Sequence, residues 1–277
     1  GGDVSLEAFN PPEKNVIIGQ VVSKAGVPLK GVTVSIAGGK TGTTNYDGMY
    51  YIAEVPANAR TVVTFAGSGY ITTTRSVATY ADGKAVVNAV VMGRVGSVAF
   101  AGGTAKFDHG TVKLAQGAAV NANGVAASNV RVQMTPIDIK GKGINAAPGD
   151  FSAVTASQQN VQLETFGMAE FQLTDDSGQG LQIKDGEKAT IELLLPADTK
   201  LTLGQKVPAW HFDTATSRWV EEGEGTVVTY SQDASRLAFQ AEVGHFSSWN
   251  CDQPLKTTCI KGKILNCDGT PASGADL

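Results

Sequence analysis

The chain has 277 residues, a formal net charge of −4, 42% apolar residues and 17% charged residues. This length suits about two domains, and this apolar fraction can form buried cores. The negative charge and the scattered Lys and Arg residues exclude the basic surface that nucleic-acid binding needs. No apolar run in the sequence reaches the roughly 18 residues of a membrane-spanning helix.

The local patterns predict an all-β chain. Residues 1–15, GGDVSLEAFNPPEKN, are expected to form a flexible acidic leader on a processed protein. Beyond them, 33 glycines and many short runs rich in Val and Thr predict short strands joined by tight turns. Few segments have the apolar spacing of a helix, so we expect less than about a tenth of the chain to be helical.

Residues 16–93 carry the pattern of a first β-sandwich. Apolar residues alternate with polar ones in VIIGQVV, VTVSI, MYYIAEV, TVVTF and AVVNAVVM. Gly, Pro, Asn or Asp bound each run, at the close spacing typical of a sandwich. Pro28 cannot continue a central strand, and Asp47-Gly48 supplies a turn.

This first module resembles a known family. The order GQVVSKAGVPLKGVTVSI…TGTTNYDGMYYIAEVPANARTVVTFAGSGY is similar to the carboxypeptidase-regulatory-like module. The resemblance implies a seven-stranded, transthyretin-like sandwich. It gives almost no information about function. Tyr50 and Tyr51 are candidates for stacking on a sugar, or they lie on alternate faces of one strand. Asp47 is either a turn residue or a calcium ligand.

Residues 94–250 are again rich in predicted strands and are expected to form a second β-sandwich. AWHFDTATSRWVEEG predicts a hairpin with Trp210 and Trp219 in its arms and TATS as its turn. These two tryptophans complete the set of candidates for an aromatic sugar-binding platform. The acidic stretch 174–180, TDDSGQG, is either a surface turn or a calcium loop.

The histidines of this region do not form a recognisable metal or catalytic motif. His109 lies in a predicted turn, and His211 alternates with Trp210 and Phe212 along a predicted strand. No Cys or His cluster has the spacing of a familiar metal site. No Gly-x-Ser-x-Gly, phosphate-binding loop or dinucleotide fingerprint is present in the sequence. We therefore expect no cofactor and no metal.

A second resemblance covers the end of this region. The order AWHFD…RWVEEG…LAFQAEVGHFSSWNCD looks like a β-sandwich of bacterial surface proteins and of cartilage intermediate layer protein. It is more distantly similar to ZU-five-type domains, some of which are cut before the hydroxyl residue of a His-Phe-Ser triplet. By that resemblance, His245 would be the general base, Ser247 the nucleophile and Phe246–Ser247 the scissile bond.

The triplet therefore has two interpretations. In the first, the Ser247 hydroxyl attacks the preceding carbonyl and turns the amide into an ester, which water then opens. This needs a twisted peptide bond and a base that takes the hydroxyl proton. In the second, the triplet belongs to the last strand of the sandwich, with Phe246 facing the core, Ser247 facing out and Trp249 packed beyond it.

Residues 251–277 are expected to be a linker and the truncated start of a third sandwich. Gly262, Gly269, Pro271 and Gly274 repeat the spacing of four Gly and Pro positions at the start of the first module. The parent protein is thus expected to continue beyond residue 277. Cys251 and Cys259 are disulfide candidates, while a strand between Cys259 and Cys267 excludes that pair. Zinc binding by these cysteines is an alternative without familiar spacing.

These patterns favour a non-enzymatic, modular cell-envelope or surface protein of a bacterium, built as a rod of β-sandwiches. The expected location is extracytoplasmic, and the expected partner is a surface ligand, either glycan or protein. Two alternatives stay open: a carbohydrate-binding accessory region, and a sandwich that cuts itself at Phe246–Ser247.

Overall fold

The structure, a computed structural model, describes residues 9–255 apart from the side chains of residues 141 and 142. The chain is all-β, as predicted, since the helical structure within residues 9–255 is one 3₁₀ helix, Gly141–Ala146. In this range we find no helix long and apolar enough to cross a membrane. Residues 259–277, which carry the predicted repeat, lie outside the described residues.

The first module has two four-stranded sheets. Its strands are β1 (Val16–Ser23), β2 (Thr33–Ile36), β3 (Thr41–Thr43), β4 (Met49–Ala53), β5 (Asn58–Ala66), β6 (Thr73–Thr79), β7 (Lys84–Val86) and β8 (Ala89–Val91). One sheet has the order β4-β1-β7, with β8 also on β1, and the other has the order β3-β2-β5-β6. Strands β7 and β8 pair in parallel with successive parts of β1, so they fill one interrupted position. The module therefore has the seven strand positions that the first resemblance implied.

The core of this module lies between the two sheets. The alternation of apolar and polar residues in the sequence corresponds to alternation of buried and more exposed side chains in the structure. In β5, for example, Val63 and Phe65 are fully buried. The predicted Asp47-Gly48 turn is confirmed, because Gly48 has a φ of 70° and the Asn45 side chain accepts two backbone N–H bonds across the turn.

The second module is a single large sheet. Its strands are β9 (Val98–Phe100), β10 (Gly103–Phe107), β11 (Gly110–Leu114), β12 (Ala119–Val120), β13 (Val130–Ile137), β14 (Ser152–Val154), β15 (Asn160–Thr174), β16 (Gly180–Ile183), β17 (Ala189–Leu194), β18 (Lys206–Asp213), β19 (Arg218–Thr229), β20 (Leu237–Val243) and β21 (Ser248–Pro254). The main order is β10-β11-β17-β20-β19-β18-β21-β15-β13-β9.

This sheet folds over on itself, because strands far apart in the order share one core. Val112 of β11 packs in the same buried cluster as Val132 and Met134 of β13. Gly110 at the start of β11 leaves no room for a side chain: a Cβ there would lie 2.5 Å from the Met134 methyl group. The result is a two-layered, sandwich-like module whose layers belong to one continuous sheet.

Two sequence predictions can be compared directly with these strands. The predicted hairpin is confirmed, since β18 and β19 pair in antiparallel fashion around the turn at residues 214–217. The predicted linker starting at Cys251 is wrong, because β21 continues to Pro254 and pairs with β15 as far as Leu163. Pro254 is the last residue of β21, where its missing N–H removes no interior ladder bond.

The two modules pack against each other through a buried apolar cluster, the junction cluster. Ile71 from the first module is 1% exposed and packs with Trp210, Phe212 and Trp219 from the second. The other buried members are Ile137, Ala147, Ala153, Leu163 and Met168. Burial of large side chains from both modules in one cluster ties the modules together.

Polar contacts surround the junction cluster. The Thr74 hydroxyl donates to the Ser217 hydroxyl at 2.7 Å, and both residues are buried. The Arg75 guanidinium donates to the backbone oxygens of Asn145 and Ala147 at 2.8 and 3.1 Å. Because these donors and acceptors come from opposite modules, relative movement of the modules would break several hydrogen bonds at once.

The connection between the modules is also held in place. Arg94 forms a bidentate ion pair with Glu170 of β15, with N–O distances of 2.9 and 2.8 Å. Its backbone N–H donates to the Gly69 oxygen of the first module at 2.7 Å. A bidentate, partly buried pair of this kind is among the stronger polar interactions in proteins.

Candidate functional site

The His-Phe-Ser triplet lies in the bend between β20 and β21, and β21 begins only at Ser248. The strand interpretation is therefore wrong about the triplet itself, whereas the packing that it predicts for Phe246 and Trp249 is confirmed. Phe246 is partly buried against the main core, with its ring 5.8 Å from that of Phe171. Trp249 is 1% exposed, as expected. The backbone oxygen of Ser247 accepts a bond from the Phe171 N–H at 2.9 Å.

The side chains of Ser247 and His245 each contact a neighbouring group. The Ser247 hydroxyl donates to the Ser248 carbonyl oxygen at 3.1 Å. His245 Nε2 lies 2.9 Å from Glu222 Oε2. The Ser247 hydroxyl is thus bonded to the carbonyl that follows it, and not to the Phe246 carbonyl of the predicted scissile bond.

His245 instead belongs to a three-residue cluster with His211 and Glu222, the His-Glu-His cluster. His211 Nε2 is 3.4 Å from Glu222 Oε2, and one potential ligand atom from each residue lies within 4.8 Å of the others. The two imidazole rings contact each other edge to face, with centroids 4.7 Å apart. The side chains of His211, Glu222 and His245 are 20%, 45% and 42% exposed, so solvent reaches the cluster.

Three adjacent parts of the sheet bring these side chains together. His211 in the middle of β18 is paired with Val220 of β19 on one side and with Trp249 of β21 on the other. Glu222 follows Val220 by two residues and so lies on the same face. The pairing of β18 with β19 shifts at Glu222 and Gly223 themselves, and Gly223 has a φ of 83°. Such a β-bulge redirects nearby side chains.

Trp249 forms the floor of the His-Glu-His cluster. Its ring lies 5.7 Å from the His211 ring and 5.2 Å from the His245 ring. Its indole N–H donates to the His245 backbone oxygen at 3.2 Å. The buried indole therefore fixes the bend that carries His245, so the imidazole is positioned by packing as well as by Glu222.

The electrostatic environment favours neutral His211. Burial lowers the pKa of His211, the neighbouring His245 lowers it further, and Glu222 opposes both effects. Neutral imidazole can offer a lone pair to a metal ion or accept a hydrogen bond. The predicted hairpin carries His211 and Glu222 on its two arms, whereas His245 joins them only through the order of the strands.

The structure corrects the predicted aromatic platform. Tyr50, Trp210 and Trp219 are 1%, 0% and 0% exposed, so these three side chains offer no stacking surface. The Tyr50 hydroxyl donates to the Val87 oxygen at 2.7 Å, and both tryptophans belong to the junction cluster. Tyr51 is 40% exposed and is the one candidate at the surface. Alternation along β4 predicts opposite faces for the two tyrosines. The two tryptophans are buried because they lie at the junction with the first module.

Cys251 and Asp252 of β21 are both fully buried. Burial raises the pKa of the Cys251 thiol, and Cys259, its predicted disulfide partner, lies outside the described residues. Burial also raises the pKa of Asp252 well above its usual range, although a hydrogen bond with Thr165 acts in the opposite direction. The Asp252 Oδ1 atom has no hydrogen-bond partner among the described residues. The ionised form of the Asp252 carboxyl group is therefore disfavoured relative to the neutral form.

Two family models match separate parts of the chain. Residues 9–92 match the family model described as "Teneurin TTR-like domain", so the first module is transthyretin-like. Residues 115–250 match the model described as "FAM171A1/A2/B, N-terminal". The resemblance to cartilage intermediate layer protein and ZU-five-type domains stays a prediction. No curated protein sequence matches the chain.

Solved structures give weak similarities. Two are mutants of a type II cohesin–X-dockerin complex from Acetivibrio cellulolyticus, at 18% and 21% identity with TM-scores of 0.23 and 0.22. Those alignments cover 29% and 28% of this chain and 58% and 56% of the other chains. A candidate carbohydrate-binding protein from Bacteroides uniformis ATCC 8492 is 9% identical over 84% of this chain and 100% of that chain, with a TM-score of 0.23. Similarities at these TM-scores carry no argument about this protein.

Proposed function

We propose that this chain is a non-enzymatic structural segment of a modular cell-envelope or surface protein. In this role the transthyretin-like module and the second module form one rigid unit of a longer rod. The observation that carries the proposal is the junction cluster, in which Ile71 of one module is buried together with Trp210 and Trp219 of the other. A buried apolar interface fixes the relative orientation of two domains, whereas small polar interfaces permit domain movement.

The geometry of the His-Phe-Ser bend supports a structural role over self-cleavage. His245 contacts Glu222, and the Ser247 hydroxyl is bonded to the Ser248 oxygen. Attack on the Phe246 carbonyl would need the Ser247 hydroxyl to leave the Ser248 oxygen. The same bend supplies Phe246 to the core and carries the backbone bond to Phe171. Each of these contacts stabilises the intact bend.

Carbohydrate binding receives less support from the surface. A glycan platform needs exposed aromatic faces, and three of the four candidate side chains are buried. The remaining candidate, Tyr51, packs edge to face with Phe9, with ring centroids 5.9 Å apart. A glycan array probed with the purified chain distinguishes the two functions: strong binding that is lost in Tyr51→Ala would favour the carbohydrate-binding alternative.

The location can be tested in the organism that makes the protein. Intact cells are treated with a membrane-impermeant lysine-reactive biotin reagent, and the parent protein is recovered and analysed by mass spectrometry. A surface segment should be labelled in intact cells at exposed lysines such as Lys188 and Lys206, whose side chains are each 62% exposed. Labelling only after the cells are lysed would contradict the proposed surface location. An abundant cytoplasmic protein serves as the control for cell integrity.

A further inference from the structure

We infer that His211, Glu222 and His245 form a binding site for a late first-row divalent metal ion such as zinc. The inference does not depend on the proposed function. Two imidazoles and one carboxylate provide three ligands of the types that zinc prefers. Calcium and magnesium instead prefer sites built mainly from oxygen atoms, which this cluster does not provide.

Two of the three distances between the ligand atoms are close to those around a metal ion, and all three atoms lie within 4.8 Å of one another. Zinc–ligand bonds of about 2.0–2.2 Å place neighbouring ligand atoms of a tetrahedron about 3.3–3.6 Å apart. The His211 Nε2–Glu222 Oε2 distance of 3.4 Å already falls in this range. The His245 Nε2–Glu222 Oε2 distance is 2.9 Å, so the pair must separate by about 0.5 Å to match the tetrahedral spacing. The partly exposed Glu222 side chain can supply that change by rotation.

Side-chain packing and strand pairing hold the three ligands in place. Trp249 packs against both imidazole rings and donates to the His245 backbone, while the β18–β19 pairing places His211 beside Glu222. Rings held by packing lose little freedom when a metal binds, which favours affinity. The exposed sides of Glu222 and His245 leave a further coordination position open to water or to a side chain of another molecule.

A metal at this position would connect the His-Phe-Ser bend to the β18–β19 hairpin. His245 is the first residue of the triplet, whereas His211 and Glu222 belong to the hairpin. Coordination through Nε2 would also occupy the lone pair that a general base needs. The metal would therefore act as a clip on this end of the module and would leave His245 without a role in proton transfer.

The experiment is a titration of the chain, without an affinity tag and after treatment with a chelator, with Zn²⁺ in a calorimeter. We expect one Zn²⁺ per chain. Zinc affinity should fall by at least about tenfold in each of three variants, His211→Gln, Glu222→Gln and His245→Gln. Tenfold is a lower bound, because substituting residues that only hydrogen-bond to metal ligands already lowers affinity by about that factor. His109→Gln and Glu224→Gln are matched controls, since His109 and Glu224 are exposed and lie outside the cluster, and they should leave affinity unchanged.

A second measurement identifies the ligands. Co²⁺ in place of Zn²⁺ should give visible absorption bands without a thiolate-to-cobalt charge-transfer band, because the site contains no cysteine. The side-chain NMR signals of His211 and His245 should shift on addition of Zn²⁺, and those of His109 should stay in place. The inference would be overturned by the absence of stoichiometric binding, by a thiolate charge-transfer band, or by equal affinity in the three cluster variants and the wild type.

Discussion

Substituting Ile71 by alanine should destabilise the second module although Ile71 belongs to the first. Ile71 is 1% exposed and lies in the junction cluster with Trp210, Phe212 and Trp219. Truncating a buried isoleucine to alanine removes apolar contacts and leaves a cavity, at a cost of about 2–5 kcal/mol. For a urea m value of about 3 kcal/mol/M, a loss of about 3 kcal/mol lowers the unfolding midpoint by about 1 M.

Tryptophan fluorescence makes this prediction specific to the second module. The chain has three tryptophans, Trp210, Trp219 and Trp249, and all lie on strands of the second module. In Ile71→Ala the fluorescence midpoint in urea should fall by about 1 M. Val86 in β7 is 63% exposed, so Val86→Ala is the surface control. It should change the fluorescence midpoint no more than an ordinary surface substitution does. An unchanged fluorescence midpoint in Ile71→Ala would refute the coupling of the modules.

Three further predictions concern the second module. Purified chain kept for days at neutral pH should stay a single band on a denaturing gel, and cleavage at Phe246–Ser247 that disappears in Ser247→Ala would contradict this. Glu170→Ala should lower the free energy of unfolding, measured by urea denaturation, by about 1.5–3 kcal/mol, because it removes both charged hydrogen bonds of Arg94. A change close to zero would show that the ion pair does not stabilise the fold. Burial raises the pKa of Asp252 in the folded state above its value in the unfolded chain. The contribution of Asp252 to the free energy of unfolding is therefore most favourable below about pH 4, and it declines as the pH rises toward the folded-state pKa. Asp252→Asn should therefore be more stable than the wild type at pH 8 by about 1–3 kcal/mol, with the gain disappearing near pH 4, and identical pH profiles in urea denaturation would count against a raised pKa.

Much of the fold could be predicted because it is encoded locally. Alternation along β5 follows the pattern of burial, and Asp47-Gly48 and the turn at residues 214–217 define two hairpin-like reversals. These signals depend on side chains close in sequence, so they survive without any knowledge of strand order. The end of β21 could not be predicted, because proline usually interrupts a strand, although the last position of a strand tolerates it.

The candidate site could be predicted only in part: the predicted hairpin carries His211 and Glu222, but the place of His245 depends on which strands become neighbours. His211 reads as one residue of an alternating strand, and His245 reads as part of a triplet near the end of the module. Only the pairing of β18 with both β19 and β21 places them beside Glu222. The tryptophans were misassigned for a related reason, since an apolar face that packs against a neighbouring module looks in sequence like an exposed aromatic face.

The rigid connection of the two modules is the central claim, and residual dipolar couplings of the backbone amides test it most directly. In a weakly aligning medium, the couplings from residues 16–91 and from residues 98–254 should fit a single alignment tensor with the relative orientation set by the junction cluster. Ile71→Ala provides the matched perturbation, and its two modules should fit that tensor less well. Two tensors of clearly different magnitude for the wild-type modules would show independent movement and would contradict the account.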